Sequence, residues 1–188
     1  MKSNKSVVLI YLGVVTLFSI ALSHSLSFAG EPNNPKTFRD CLMFAASEII
    51  DSARICTMAT IDELGQPRVR PMDPFPPEKD MTIWLGTNRR TRKVSDIRRN
   101  PSVSLCYLDP QWMGYVTIYG DARIVDDLEE MKHRWKPEWE QQFKNKDAEY
   151  ILIEVKPRKM EVINYRLGIA GDPDTWLPPS VDFARENK

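Results

Sequence analysis

Arg54-Ile55-Cys56-Thr57-Met58-Ala59-Thr60-Ile61, then Asp62-Glu63-Leu64-Gly65, then Gln66-Pro67-Arg68-Val69-Arg70-Pro71-Met72 is the stretch that decides the fold. The first run is rich in β-branched residues and reads as a strand. The second is a turn, with Gly65 where a positive φ is often needed. The third reads as the returning strand, so the three together make a hairpin. Side chains alternate across a strand, which puts Arg68 and Arg70 on one face and Val69 on the other. Two arginines on one face need something to neutralise them. A carboxylate such as Asp73 or Asp96 is one answer; a bound anion is the other.

Upstream of the hairpin, Thr37 to Ser52 reads as a helix, with Phe38, Leu42, Ala45, Ala46 and Ile49 on one face. Downstream comes a proline-rich loop, Asp73 to Asp80, then a strand from Met81 to Gly86. Arg90 to Arg99 reads as a short helix ended by Asn100-Pro101. Ser102 to Leu108 and Gly114 to Val125 read as strands, with Gly120 marking a bulge or bend in the second. Leu128 to Phe143 has helical character interrupted at Pro137; within it Trp135 and Trp139, four apart, read as a helical pair packed in the core, with a ligand platform as the alternative. Tyr150 to Val155 and Lys159 to Tyr165 read as two further strands, and the segment from Gly168 as irregular. The fold class is therefore mainly β, of the α+β kind. Six or seven mostly antiparallel strands with short flanking helices form a small barrel rather than a parallel sheet. No G-x-G-x-x-G opens a helix after a strand, so a Rossmann site is not indicated.

A second basic cluster follows the third strand: Arg89, Arg90, Arg92, Lys93, Arg98 and Arg99, offset within it only by Asp96. It starts at Thr87-Asn88 and runs into a helix. A strand end followed by a helix N-terminus offers free backbone N–H groups, and Thr91 with Lys93 would complete an anion site. Arg98 and Arg99 read instead as a solvated face.

The ends and composition set limits. Lys2 and Lys5, the apolar run Val7 to Leu22, and Ser27-Phe28-Ala29 read as a secretory signal peptide over residues 1–29, with a membrane anchor as the alternative. The protein is then expected to be secreted or periplasmic, with no stable membrane span after cleavage. The chain balances 26 basic against 26 acidic residues, which gives no general attraction to nucleic acid. Cys41, Cys56 and Cys106 permit one disulfide and one spare thiol, or three free thiols; Cys56 and Cys106 read as buried small hydrophobes. Beyond the leader His133 is the only histidine, so neither a histidine metal cluster within one chain nor a Ser-His-Asp triad is indicated. Trp112, in the loop before the fifth strand, reads equally as a ring cover or as interface filler.

From Arg54 to Val125 the chain resembles the FMN-binding split barrel of the pyridoxamine-phosphate oxidase superfamily, in its general stress protein branch. The matching pieces are Met58-Ala59-Thr60, the Gly65 turn, Pro67 to Met72, Thr87-Asn88, Thr91-Arg92-Lys93-Val94, Asn100-Pro101 and Tyr115 to Gly120. The resemblance implies an FMN-binding split-barrel domain over residues 30–167, followed by an irregular tail over 168–188. It implies a flavoprotein, of oxidoreductase character and with a small-molecule substrate, that works as a homodimer with flavin at the subunit interface. Arg68 matches the phosphate-binding arginine of the family, and Arg92 and Lys93 its Arg-Lys pair, with Thr91 for the usual serine. Val69, Arg70, Met72, Leu85, Thr87 and Tyr115 would complete the flavin-binding set. Deazaflavin or haem are the alternative ligands, and a non-catalytic binding protein of the cell envelope is the alternative function. The oxidases differ in three respects: Tyr115 stands where they carry a flavin-contacting glutamine, Asp73 where they carry a lysine, and Tyr165-Arg166-Leu167-Gly168 matches only a fragment of their C-terminal substrate signature. No acid or base is singled out as catalytic.

Overall fold

The computed structural model describes residues 37–183; the signal-peptide reading of residues 1–29 lies outside them. Helix α1 spans Phe38–Ser52. Thr37 caps it in a capping box: its hydroxyl accepts from Asp40 N at 3.1 Å, and the Asp40 carboxylate accepts from Thr37 N at 3.0 Å. Leu42, Ala45, Ala46 and Ile49 are buried as their spacing predicts, while Phe38, at the first helical position, is exposed.

Strands β1 (Cys56–Ile61) and β2 (Pro67–Met72) form the expected hairpin. Gly65 takes φ 75° in the turn, and the Asp62 carboxylate accepts from Leu64 N and Gln66 N, each at 2.9 Å. Strand β3 (Ile83–Asn88) starts later than expected. Helix α2 (Arg92–Arg99), strand β4 (Ser102–Leu108) and strand β5 (Gly114–Val125) follow. The Gly120 irregularity is a register shift in the β5–β6 ladder.

Three readings are corrected. Strand β6 is one strand, Tyr150–Asn164, not two. Pro157 falls opposite the β5 irregularity, between the end of the β3 ladder at Val155 and the start of the β7 ladder at Lys159. Its missing N–H therefore breaks no pairing. The segment from Gly168 is not wholly irregular, because Ser180–Asp182 adds strand β7 beside β6. Trp135 and Trp139 do not share a helix. Asp127 caps α3 (Leu128–His133), and Pro137–Trp139 is a separate 3₁₀ turn with proline at its start; α4 (Lys146–Glu149) follows. The two rings still pack edge to face, with centroids 6.1 Å apart.

The sheet runs β2-β1-β4-β5-β6-β3, with every named pair antiparallel. It curls until its two edge strands meet at one bridge, Pro74–Leu85, backed by a 2.9 Å bond from Phe75 N to Trp84 O. This is the split barrel. The inner face packs Met58, Leu105, Val116, Ile118, Ile153, Met160 and Val162 against the buried residues of α1. The outer face of β3 and of the first part of β6 carries a second, aromatic core. There Trp84, Val125, Met131, Trp139, Tyr150 and Leu152 are buried, with Phe75, Trp135 and Phe143 packed on them. Among the described residues no helix is long and apolar enough to cross a membrane.

Candidate functional site

Beyond the Pro74–Leu85 bridge the edges of β2 and β3 part, and a cleft of about 260 Å³ opens between them. Pro71, Met72 and Asp73 line one side. Gly86, Thr87 and Asn88 line the other, Lys93 stands at α2, and Trp139, Gln142 and Phe143 close it from the segment after β5.

The end of the cleft at α2 is cationic. Lys93 Nζ donates to Thr87 Oγ1 at 3.0 Å, and the Thr87 and Thr91 hydroxyls lie 3.3 Å apart. Arg70 reaches the same region from β2. It donates to Thr60 Oγ1 at 2.8 Å, Thr60 donates to Asp96 at 3.0 Å, and the Arg70–Asp96 separation is 4.0 Å. Asp96 is buried and, among the described residues, is the one carboxylate paired with this group. Burial first, and then the Arg70 charge, holds the Lys93 amine below its ordinary range. Burial likewise lowers Arg70, where Asp96 opposes the shift and Arg92 adds to it. Arg70, with Arg92 and Lys93 beside it, thus has one buried carboxylate as its partner. Helix α2 adds to the surplus. Its first turn holds no acidic residue, and Thr91 makes no side-chain cap bond, so its first N–H groups face a basic turn. An anion would satisfy both features.

The sequence-derived residues divide into three groups. Arg70, Met72, Thr87, Thr91, Arg92 and Lys93 come together at or beside the cleft, and Leu85, fully buried, lies at the bridge that bounds it. Arg68 stands further along β2 and is paired with Asp62 at 2.7 Å. The Gln66 N–H first, and the Arg68 guanidinium after it, hold the Asp62 carboxyl below the usual carboxylate range. Arg68 is thus neutralised by a residue that was not among the expected partners, while Asp73 is taken by Lys136. Val69 and Tyr115 lie on the outer face of the sheet, opposite to Arg70: Val69 pairs with Ala59, whereas Arg70 pairs with buried Met58.

Sequence reasoning missed Asp73, Gly86, Trp139, Gln142 and Phe143 as lining residues. A glycine inside an apolar strand was the available signal, since it marks a close approach. Cys56 is buried as expected, but Cys106 is half-buried on the outer face, and all three cysteines are free. Among the described residues no group of His, Cys, Asp and Glu could hold a metal ion.

The outer face has a covered half and a bare half. The bare half includes Val69 and Pro71 of β2, Cys106 and Leu108 of β4, and Tyr115, Thr117 and Tyr119 of β5. Val69 is 64% exposed and Leu108 44%, and the neighbouring loop exposes Trp112 and Met113. Pro71 belongs both to this half and to the cleft wall, so the cleft lies on the border between the halves.

The sequence model of the family described as Pyridoxamine 5'-phosphate oxidase matches residues 43–164. General stress protein 26 of Bacillus subtilis is 27% identical over 121 residues, covering 62% of this chain and 84% of that protein. The crystal structure of General Stress Protein 26 from Bacillus anthracis has a TM-score of 0.59 and 21% identity, covering 76% of this chain and 98% of that one. A pyridoxamine 5'-phosphate oxidase-related, FMN binding protein from Nostoc punctiforme has a TM-score of 0.56 and 17% identity, covering 85% of this chain and all of that one.

Proposed function

Because the chain belongs to the pyridoxamine 5'-phosphate oxidase family, we propose that it is an FMN-binding flavoprotein, an oxidoreductase acting on a small molecule. One observation carries this reading: Arg70, Arg92 and Lys93 converge beside an open cleft with a single buried carboxylate among them. A phosphate monoester supplies the missing negative charge, and the hydroxyls of Thr87 and Thr91 and the first N–H groups of α2 would hold its oxygens. Met72 and the aromatic wall suit a flat ring. The FMN-binding relative of the same fold supports the choice of ligand.

When bound, FMN supplies the electron-transfer chemistry. The chain's part is to anchor the phosphate at Lys93, keep Arg70 aligned through Thr60 and Asp96, and shield one side of the ring behind Trp139 and Phe143. We propose further that two copies pair through the bare outer half. That face borders the cleft at Pro71, so a partner seated on it would reach the open side of the site. The reading of residues 1–29 as an export signal supports a secreted or periplasmic location.

The test is direct. The purified protein is titrated with FMN and its visible absorption recorded, beside Lys93→Ala and Arg70→Ala. Saturable binding that each variant weakens at least tenfold is expected. A parent that takes up no FMN, or variants that bind as the parent does, would sink the reading. Anaerobic bleaching by a reduced nicotinamide, followed by reoxidation with an acceptor, then separates an enzyme from a binding protein.

A further inference from the structure

The aromatic side of the cleft is built as closely as its cationic end. Trp139 is 6% exposed, and its ring lies against β3 at Gly86. A Cβ on Gly86 would fall 2.7 Å from Cη2 of Trp139 and 2.8 Å from Cε2 of Tyr150, and closer still to Cζ3 of Trp139. Only glycine lets the indole approach that strand. On the opposite side the indole Nε1–H donates to Asp73 Oδ2 at 3.0 Å. The other oxygen of Asp73 accepts from Lys136 Nζ, which also donates to Pro74 O at 2.8 Å and lies 5.0 Å from the Phe75 ring centroid. The indole thus spans the seam, from Gly86 of β3 to the loop that leaves β2. It therefore contacts both sides of the seam beside the cleft. The charge of Asp73 is matched by Lys136, so the carboxylate acts as an anchor and not as a free pole.

We propose that Trp139, pinned between Gly86 and Asp73, is a specificity-determining residue: it walls the ring end of the cleft and selects the planar ligand admitted there, independently of the phosphate end. The assignment rests on the flavin reading and adds to it a residue from the segment after β5. Aromatic side chains hold flat rings by stacking, so weakening the wall is expected to read as about a tenfold change in affinity.

The experiment compares three probes on the full chain: FMN, riboflavin (the ring without the phosphate) and inorganic phosphate. Trp139→Phe and Asp73→Ala are each expected to weaken FMN and riboflavin by the same factor, about tenfold, while phosphate binding stays at the parent's value. Lys93→Ala is expected to do the reverse, weakening FMN and phosphate and sparing riboflavin. Asp73→Asn retains an acceptor for the indole N–H and is expected to weaken both flavins less than Asp73→Ala does, which separates pinning from charge. A shift of the bound flavin's visible bands in Trp139→Phe is the readout that a purely structural role would leave unmoved. If Trp139→Phe and Asp73→Ala bind riboflavin like the parent with unshifted bands, the wall assignment falls and the flavin reading stands. If the parent binds phosphate but neither flavin, the flavin reading falls and takes the wall with it.

Discussion

One sheet presents two outer surfaces, and the chain treats them oppositely. Over β3 and the start of β6 it lays the segment from α3 to α4, burying Trp84, Trp139 and Tyr150 in an aromatic layer where Trp135 and Phe143 meet Tyr150 edge to face. Over β1, β2, β4 and the first part of β5 it lays no described element, although Val69, Leu108, Tyr115 and Tyr119 stand there. The difference is not one of apolar content alone. The covered half is finished with rings whose polar atoms are satisfied inside the chain, such as Trp84 Nε1 on Glu78 at 2.7 Å. The bare half keeps hydroxyls and a carboxylate in reach of one another, with Tyr119 donating to Glu161 at 3.0 Å. Such a mixed surface suits a partner that arrives later. One half closes the fold, while the other is the half proposed to close the site.

The largest effect that would test this contrast is on the covered half. Trp84→Ala removes a ring that is 5% exposed and stacked under Arg134 at 4.0 Å. It is expected to lower the unfolding free energy by about 3–5 kcal/mol, measured by urea titration. A loss below about 1 kcal/mol would mean that the aromatic layer is ornament. Next in size, Tyr115→Glu on the bare half is expected to leave far-ultraviolet circular dichroism unchanged and to weaken self-association about a hundredfold in sedimentation velocity, roughly 2.7 kcal/mol. A parent that is monomeric at all concentrations would erase the proposed use of that face.

Much of the contrast is legible in the sequence. The alternation in Pro67 to Met72 separates Arg70 from Val69 correctly, because a strand's period of two admits one answer once the hairpin register is set. The basic run after Thr87 declares the cationic end, since like charges clustered at a helix start are costly without an anion. What stays hidden is long-range. Asp62, and neither Asp73 nor Asp96, neutralises Arg68, because the Asx turn aims that carboxylate back along β2. Trp139 reads as core because spacing reports which face a residue takes and not which strand receives it. The two strands expected over Tyr150 to Val155 and Lys159 to Tyr165 are one, because Pro157 between them falls between the ladder ends on β3 and β7.

The border between the halves offers a subtler test. Lys93→Met removes an amine that burial and Arg70 disfavour. It is expected to raise the melting temperature of the ligand-free protein by about 2 °C, on the order of 0.5–1 kcal/mol, while costing at least tenfold in FMN affinity. A lower melting temperature would show that Lys93 is structural.

The smallest effect concerns two thiols. Burial pushes the Cys56 thiol up to about 12 from 9.0, so it is expected to resist iodoacetamide at about pH 8 at any protein concentration. Its folded pKa is raised, so the stability it contributes is intact below pH 9 and falls as pH rises from 9 towards 12, where the unfolded thiol ionises and the folded one does not. Cys106, half-buried on the bare half, is expected to be alkylated faster as the protein is diluted and pairing is lost. Equal rates for Cys106 at high and low concentration would leave that face without a partner.

Strand β6 carries a consequence for the order of events in synthesis. Apart from the single bridge at Pro74, β3 finds its strand partner among the described residues only in Tyr150–Val155, and β5 finds its second ladder only in the same strand. A growing chain can therefore fold its first hairpin and join β4 to β5, yet one wall of the cleft hangs loose until the last strands leave the ribosome. Uptake of the proposed flavin would accordingly follow translation, and a chain threaded through a membrane before β6 pairs would cross without it.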